Sequence, residues 1–361
     1  MDGIDAALLD IDADGMRVRA AAARDWPASL QTRLRHAAER AESTGLYELG
    51  ELDTAVGVQL ASAAAALLES AGVSAAAVRA IGSHGQTILH RPSGQCPFTL
   101  QIGDPNIIAE RLGIDVVADF RRRDVAAGGE GAPLMPAFHA AVFAARGQRR
   151  AVVNIGGMAN VTLLGADGGV LGFDTGPGNC LLDAWARRHL GHAYDADGRW
   201  AASGRVQPAL LARLLADPYF ARPAPKSTGR ETFSDAWLER TLAGGSGHLD
   251  AADVQATLAE LTARSIVDAL TQAAGGAAPS QAYVCGGGAF NVDLMQRLAR
   301  ALPVTLWQST AACGIAPEHV EAAGFAWLAH RCLEGTAGNL PSVTGAHHPV
   351  PLGALYRGRL A

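Results

Sequence analysis

The stretch from Ala151 to Leu182, AVVNIGGMANVTLLGADGGVLGFDTGPGNCLL, constrains the fold of this chain more than any other. Two glycine turns divide it into three apolar runs, at 151–155, 161–164 and 170–173. Short apolar runs separated by such turns are typical of successive strands in a sheet. The third run ends at Asp174, and a glycine- and proline-rich turn then leads into a helix. A carboxylate at such a strand end is commonly held at a cleft, so the stretch predicts a sheet that carries a site.

The first of these turns, Gly156-Gly157, is a candidate ligand contact. Glycine lets a backbone approach a ligand closely and adopt positive φ, and consecutive N–H groups in a turn can bind an anion. Two plainer interpretations stay open: the turn can be a tight hairpin with nothing bound, and Asp174 can cap the helix that starts near Leu181. Both features within one short sheet favour a site.

The length of 361 residues exceeds one ordinary core and predicts two domains. We place them at 1–150 and 151–361, both of class α/β, with the last segment packing back on the first domain and a cleft between the two as the default site. The net charge of −5 favours neither nucleic acid nor an anionic membrane as a partner. The five cysteines are scattered without a C-x-x-C pair, which argues against zinc and a disulfide framework and favours a reducing cytoplasm. Acidic residues interrupt the start of the chain, so we expect no signal peptide.

Polar loops follow several strands of the first half. His84, Asp104 and Asp119 lie in the polar loops that follow the predicted strands 78–81, 98–102 and 114–118, and ligands of open α/β sheets bind at the carboxyl ends of strands. His84 can alternatively be a core histidine satisfied by backbone, and the run Arg121–Arg123 can be a solvated loop. The spacing of these residues matches no caged metal motif.

A third glycine turn, Gly286–Gly288, connects the predicted strand 282–285 to a helix that begins at Val292. Strand, glycine turn and helix are compatible with a nucleotide phosphate at the helix N-terminus. The turn is a poor dinucleotide fingerprint, because Asn291 takes the place of the third glycine.

The ordered motifs resemble the anhydro-N-acetylmuramic acid kinase family over nearly the whole chain. In chain order they are IGSHGQT (81–87), QIGD (101–104), DFRRRD (119–124), GAPLMPAFH (131–139), NIGGMANVT (154–162), GFDTGPGN (172–179), PKSTGRE (225–231), VCGGGAFN (284–291) and NLPSVTGA (339–346).

The resemblance implies two ribonuclease H-like domains of the actin-like ATPase type around an interdomain ATP cleft. It implies ATP and Mg²⁺ as cofactors, with Mg²⁺ held mostly by phosphates and water, and a cytoplasmic homodimer. The family opens the 1,6-anhydro ring of anhydro-N-acetylmuramic acid with water. It transfers the γ-phosphate to the freed O6, giving N-acetylmuramic acid 6-phosphate in peptidoglycan recycling.

The resemblance also assigns roles to single residues. Asp174 corresponds to the base that activates water, and Glu321 to an acidic residue near the cleft, although it can alternatively be an exposed helix glutamate. The implied ATP-binding residues are Asp2, Gly3, Gly156, Gly157, Asn160, Gly286, Gly287, Gly288 and Asn291. The implied substrate-binding residues are His84, Gln86, Thr87, Asp104, Asp119 and Arg123.

The chain departs from the family pattern at its start. The family begins with a strand and a loop of the form GLMSGTS(L/M)DG, of which only Met1-Asp2-Gly3 is present here. Either the true start lies upstream, where we expect open codons for a strand and a Ser-Gly-Thr-Ser loop, or the protein is a crippled enzyme. Two further alternatives are a non-catalytic actin-like nucleotide binder and a kinase for another sugar.

Overall fold

The structure is a computed structural model, and it describes residues 3–12, 15–245 and 249–359. The chain divides into two compact units, which we call unit 1 (residues 1–138 and 319–361) and unit 2 (residues 139–318). The sequence interpretation put the boundary at 150/151. The structure puts it at 138/139, because His139 bonds to Thr162 and Phe143 stacks near Tyr283, both of which belong to unit 2.

The first part of the chain alternates hairpins and helices. In chain order its elements are β1 (Ile4–Asp12), β2 (Gly15–Arg24), α1 (Ala28–Glu39), α2 (Leu46–Ala71), β3 (Ile81–Gly82), β4 (Gln86–Arg91), β5 (Phe98–Ile102), α3 (Pro105–Leu112), β6 (Val116–Ala118), α4 (Phe120–Ala126) and α5 (Met135–Phe143).

The second part is richer in helices. Its elements are β7 (Arg150–Ile155), β8 (Met158–Leu164), β9 (Val170–Pro177), α6 (Cys180–Leu190), α7 (Arg199–Ser203), α8 (Pro208–Leu215), α9 (Pro218–Ala221), α10 (Asp235–Ala243), α11 (Ala251–Ala273), β10 (Gln281–Cys285), α12 (Val292–Ala301), β11 (Leu306–Ser309), α13 (Val320–Leu333), α14 (Pro341–Thr344) and β12 (Ala354–Tyr356).

Unit 2 is built on one five-stranded sheet with the order β11-β10-β7-β8-β9. β8 is antiparallel to both of its neighbours, whereas β7, β10 and β11 are parallel. If the five strands are numbered 1 to 5 along the chain and the sheet is described from the β9 edge, the order is 3-2-1-4-5, with strand 2 antiparallel to the others. This is the ribonuclease H-like arrangement. The central strand β7 is buried over Ala151–Val153, because helices cover a sheet of this kind on both faces. Ile266 and Leu270 of α11 and Leu294 of α12 belong to the same apolar cluster as this strand.

Unit 1 also contains antiparallel and parallel strand pairs, but they form three separate small sheets among the described residues. β1 and β2 form an antiparallel hairpin, β4 and β5 form another, and β3 pairs in parallel with β6, which is bordered by the antiparallel β12. Several apolar clusters support them, of which two are the largest. One joins Ile4 and Trp26 to α1 and α2, and the other joins β6 to α13 and the C-terminal loop.

A groove of about 1120 Å³ runs through unit 1. Its walls are β1, β3, and side chains of α2 and α13. Glu321 and His84 also line it, together with Trp26.

Helix α2 has the length and hydropathy of a membrane span, a property that core helices of soluble proteins also show. Leu52 and Val56 of this helix are fully buried among Leu34 and other residues of unit 1. Its first turns carry Glu48 and Glu51. Only 28% of its apolar window is buried, so the helix packs on unit 1 along one side.

Helix α2 begins at Leu46, and β3 is only Ile81–Gly82, because Ala75–Ala77 forms a 3-10 turn before it. One predicted element is longer in the structure. The strand expected to end before Asp174 continues to Pro177, so Asp174 lies within β9 and not at its end. The α/β class is confirmed.

Candidate functional site

Three half-buried polar residues form a row across the sheet of unit 2. Asn154 of β7 is opposite Asn160 of β8, which is opposite Asp174 of β9. Residues directly opposite each other on antiparallel strands have their side chains on the same face. The register slips between Ala159 and Asn160, which leaves Thr175 as the extra residue of a bulge beside Asp174. Bulges re-aim side chains, and this one explains how a carboxylate within a strand reaches a site.

The peptide of Asp174 is fixed on both sides. Its N–H donates to the carbonyl of Lys226 at 2.9 Å, and its own carbonyl accepts from the Tyr219 hydroxyl at 2.7 Å. Lys226 is buried, and its Nζ donates to the carbonyls of Tyr219 and Phe220 and lies 4.7 Å from the Tyr219 ring centre. The backbone that carries the carboxylate is therefore held by the segment 219–226.

The carboxylate of Asp174 accepts one backbone hydrogen bond, from the N–H of Thr228 to Oδ2 at 3.0 Å. Within the described ranges no donor contacts Oδ1, so that oxygen is available to a reactant. Burial raises the pKa of Asp174 above its ordinary value, and the Thr228 N–H lowers it in part. A carboxylate with a raised pKa is a stronger base than an exposed aspartate, while the Thr228 bond still favours its ionised form.

Three glycine-containing loops meet around Asn179. Its Nδ2 donates to the carbonyl of Ile155 at 3.0 Å, and its backbone N–H donates to the carbonyl of Gly156 at 2.8 Å. A Cβ on Gly178 would lie 2.4 Å from the Gly156 carbonyl oxygen, and one on Gly288 would lie 2.4 Å from Ile155. Only glycine fits at these two close approaches, which join the loops after β7, β9 and β10.

The turn Gly156-Gly157 does not need positive φ, contrary to the sequence argument. Glycine is required at Gly157 because a neighbouring side chain leaves little space for a Cβ. A Cβ on Gly157 would lie 2.7 Å from Nη2 of Arg230, so the guanidinium lies directly against the turn. A guanidinium beside backbone N–H groups is a suitable neighbour for an anionic group such as a phosphate.

The loop after β10 does use a left-handed glycine. Gly286 has φ 76°, and a Cβ there would lie 2.5 Å from Oδ1 of Asn154. Gly287–Phe290 then forms a 3-10 turn. Asn291 caps α12 through a bond from the Leu294 N–H to its Oδ1 at 2.9 Å, so the structure gives this side chain a local role.

In unit 1, His84 belongs to a charged cluster. Its Nε2 accepts from Nε of Arg121 at 2.8 Å, its Nδ1 lies 2.9 Å from the Gly85 carbonyl oxygen, and its ring stacks near Phe325. Burial and the Arg121 charge lower the pKa of His84 to about 3, so the ring is neutral, with the Nδ1 proton donated to Gly85.

Glu321 lies in the wall of the groove, where it stays open to solvent while protein atoms surround it on several sides. This enclosure raises the pKa of its carboxyl, the Arg121 guanidinium lowers it in part, and Asp5 raises it further. Arg121 itself is held by Nη1 donating to the Gly131 carbonyl at 2.9 Å.

The other predicted sugar residues have local partners. Oγ1 of Thr87 accepts from Gln101, Nε2 of Gln86 donates to the Thr87 carbonyl, and Asp104 caps α3. Asp119 accepts from the Tyr356 hydroxyl at 2.7 Å and pairs with Arg122 at 3.3 Å.

Arg123 is exposed, and Arg121 is the arginine that contacts His84. Gly3 lines the groove, and Asp2 lies outside the described residues.

Sequence reasoning missed the residues that hold the site. Thr228, Lys226 and Arg230 all belong to the motif PKSTGRE, which contributed to the family resemblance without a role for any of its residues. Tyr219 had no signal, because its contact with Asp174 depends on how the segment 217–230 folds back on β9.

The model of the family described as anhydro-N-acetylmuramic acid kinase matches residues 1–358. The chain belongs to the anhydro-N-acetylmuramic acid kinase family. The family predicted from the ordered motifs is thereby confirmed.

Two relatives from this family match the chain over nearly its full length. The anhydro-N-acetylmuramic acid kinase of Xanthomonas oryzae pv. oryzae (strain MAFF 311018) is 54% identical over 360 residues, covering 98% of this chain and 94% of the relative. The one of Shewanella halifaxensis is 50% identical over 358 residues, covering 99% and 95%.

The solved structures that resemble this chain have much lower sequence identity. A component of the Acidaminococcus fermentans (R)-2-hydroxyglutaryl-CoA dehydratase has a TM-score of 0.40 at 13% identity, covering 89% of this chain and 99% of that one. A ROK family glucokinase from Streptomyces griseus, in complex with glucose and AMPPNP, has a TM-score of 0.38 at 13% identity, covering 91% and 99%.

Proposed function

We propose that this protein is the kinase that its family name describes, with Asp174 as the base. In the proposed reaction, a water oxygen attacks the anomeric carbon of 1,6-anhydro-N-acetylmuramic acid and gives its proton to Asp174, while the C1–O6 bond breaks. O6 then bonds to the γ-phosphorus of ATP, the bond to the β,γ-bridging oxygen breaks, and ADP leaves. The product is N-acetylmuramic acid 6-phosphate, as peptidoglycan recycling requires.

One observation supports this assignment above the others: the clamp on Asp174. Its peptide is fixed on both sides, one carboxylate oxygen is bonded, and the other has no donor among the described residues. A general base needs a fixed position, an ionised form and one oxygen within reach of water. A protein that only binds nucleotide has no need of such a carboxylate.

The glycine loops of unit 2 supply the proposed contacts to ATP. A Cβ would collide at Gly157, Gly286 and Gly288, whereas Gly156 and Gly287 have space for one. Asn160 lies in the same row as Asp174. Arg230 beside Gly157 is a further candidate for phosphate. The described residues contain no cluster of three acidic, histidine or cysteine side chains that would cage a metal. The resemblance implies Mg²⁺ that is bound mainly by phosphates and water, and such an ion needs no protein cage.

The remaining parts of the proposal are a sugar site at His84, Arg121 and Glu321, a cytoplasmic location and a homodimer. No disulfide joins any of the five cysteines, all of which lie in the described ranges, and this supports a reducing compartment. Sedimentation tests the homodimer directly.

Replacement of the base tests the function. Asp174→Asn should lower turnover by about 10²–10⁴-fold, because a positioned general base contributes that much. Asp167→Asn, in the exposed turn between β8 and β9, is the matched control and should keep full activity. The Asp174→Asn variant should remain folded and still bind ATP. Near-normal turnover of Asp174→Asn would remove Asp174 from the mechanism.

Product analysis separates this function from the alternatives. In ¹⁸O-water the sugar phosphate should carry the label at C1 and none in the phosphate bridge. A label in the bridge contradicts the coupled reaction. Phosphorylation of another candidate sugar without ring opening indicates a different sugar kinase, and ATP binding without any product indicates a nucleotide binder.

A further inference from the structure

Three hydrogen bonds connect Asp174, Lys226 and Tyr219 in a closed ring. The Asp174 N–H donates to the Lys226 carbonyl at 2.9 Å, the Lys226 Nζ donates to the Tyr219 carbonyl at 3.2 Å, and the Tyr219 hydroxyl donates to the Asp174 carbonyl at 2.7 Å. Each residue donates once and accepts once within this ring. Because the ring is closed, no member can move without stretching or breaking one of its bonds.

Lys226 is the member of the ring whose burial is unfavourable. Its side chain is in a residue only 4% exposed, and its ammonium contacts the carbonyls of Tyr219 and Phe220 and the face of the Tyr219 ring. Burial lowers the pKa of Lys226, and the Arg222 guanidinium lowers it further. A methionine would have a similar length without the desolvation of a charge. The ammonium provides what methionine lacks, which is a donor to two carbonyls.

Tyr219 is anchored independently of the ring. It is buried in an apolar cluster that also contains Phe233 and Trp237. Asp217 caps the short helix α9 by accepting from the Tyr219 N–H at 2.9 Å, and its other carboxylate oxygen accepts from Nε1 of Trp237 at 2.9 Å. Tyr219 therefore provides a fixed point to which the Lys226 ammonium can tie its own segment.

The segment that Lys226 begins also reaches the carboxylate of the proposed base. Thr228, two residues further on, donates its N–H to Oδ2 of Asp174 at 3.0 Å. The segment 226–228 thus contacts Asp174 twice, once at its backbone N–H and once at one carboxylate oxygen. A shift of this segment would move the peptide of Asp174 and release Oδ2 together.

We propose that Lys226 is a positioning residue for Asp174. Its ammonium ties the segment 226–228 to the anchored Tyr219, and this segment holds the Asp174 peptide and Oδ2 so that Oδ1 is directed at the attacking water. Lys226 itself touches neither substrate. The inference rests on the proposed function, in which Asp174 is the base. A displacement of about 1 Å in a reacting group can lower the rate about 10²-fold, so the tie is important for turnover.

Replacement of the ammonium tests the role of Lys226. Lys226→Met should lower kcat about 100-fold and leave KM for ATP and for the anhydro sugar unchanged, because the base is displaced and neither substrate loses a contact. The matched control is Arg222→Met. It removes an exposed cation 5.6 Å from the same Tyr219 ring but breaks no bond of the ring of three, so kcat should stay within twofold. Equal losses in the two variants, or a loss confined to KM, would overturn the positioning role.

The double variant separates positioning from a general effect on the fold. In the Asp174→Asn background, Lys226→Met should cause no further loss of kcat, because no base remains to be positioned. Hydrogen exchange at the β7 amides, in the centre of the unit 2 sheet, should match that of the unmodified protein. A second loss of the same size in the Asp174→Asn background would show that Lys226 acts on the fold and would contradict the inference.

Chemical rescue tests the ammonium itself. Lys226→Ala lacks the three carbons and the nitrogen that n-propylammonium supplies, so this ion should restore kcat at least tenfold and saturably. Tetramethylammonium at the same ionic strength has no N–H donor and should restore nothing. Lys226→Met, which keeps a long side chain in place, should not respond to either ion. A folded Lys226→Ala protein that n-propylammonium does not rescue would contradict a role for the charge.

The same measurements distinguish this inference from the proposed function. Loss of turnover in Asp174→Asn together with normal turnover in Lys226→Met would leave the base in place and overturn only the role of Lys226. Near-normal turnover in Asp174→Asn would overturn both. Loss in both single variants, no further loss in the double variant and rescue by n-propylammonium is the expected result.

Discussion

Units 1 and 2 use the same strand pairs but end with different sheets. In unit 2 the central strand β7 connects the antiparallel hairpin to the parallel pair, and its residues Ala151–Val153 are fully buried. In unit 1 the hairpin β1-β2 and the pair β3-β6 are separated by the groove. In unit 2 one central strand joins two local pairs into a continuous sheet, and no described strand does so in unit 1.

The largest expected effect comes from breaking the central strand of unit 2. Val153→Asp buries a charge without a partner and should destabilise unit 2 by more than about 4 kcal/mol. A new aspartate on β1 of unit 1, Ala7→Asp, lies at a partly exposed position that lines the groove and should cost only about 1 kcal/mol. Hydrogen exchange resolved by unit measures both. Similar losses in the two units would contradict the contrast between a closed and an open sheet.

An intermediate effect concerns two histidines, one in each unit. Burial lowers the pKa of His139 to about 3, and burial with the Arg121 charge does the same for His84. Since the folded pKa lies below the unfolded value near 6.5, the stability from the neutral rings is complete above pH 6.5. It decreases as the pH falls toward 3. At pH 5 each ring should cost its unit about 2 kcal/mol relative to pH 8.

Single replacements separate the two histidines. His139→Gln should reduce the acid-dependent loss of stability in unit 2 alone, and His84→Gln in unit 1 alone. Chemical unfolding at pH 8 and pH 5, followed by hydrogen exchange in each unit, provides the measurement. A pH dependence that stays the same in both variants would show that these rings do not titrate between the folded and unfolded states.

The smallest expected effect comes from replacing glycines of helix α2, which should shift the unfolding transition of unit 1. Gly50 lies exposed within α2 and a Cβ there meets nothing within 4 Å, so Gly50→Ala should stabilise unit 1 by about 1 kcal/mol. The contrast within the same helix is Gly57, where a Cβ would lie 2.9 Å from the carbonyl oxygen of Asp104. Gly57→Ala should destabilise the same transition. Stabilisation by both changes would mean that α2 does not pack closely on the loop before α3.

Local pattern was sufficient for much of the fold. The strands at 151–155, 170–173 and 282–285 follow from apolar runs bounded by turn residues, and the structure has each of them within a few residues. The position of Asp174 within β9 did not follow, because a bulge depends on pairing with β8. The choice of Arg121 over Arg123 depended on which turn of α4 faces His84.

The sequence by itself determined the family, the α/β class and the glycine turns with their acidic neighbour, because these are written in ordered local motifs. Only the tertiary structure decided that Lys226, Thr228 and Tyr219 hold Asp174, since they are 45 to 54 residues away along the chain. It also decided where the last segment, which the sequence predicts to pack back on the first domain, begins, namely at residue 319. Asn339 and Thr344 donate to the buried carboxylate of Asp124, a partnership more than 200 residues apart in sequence. Pairings over such distances depend on the folded path of the chain, which no local pattern encodes.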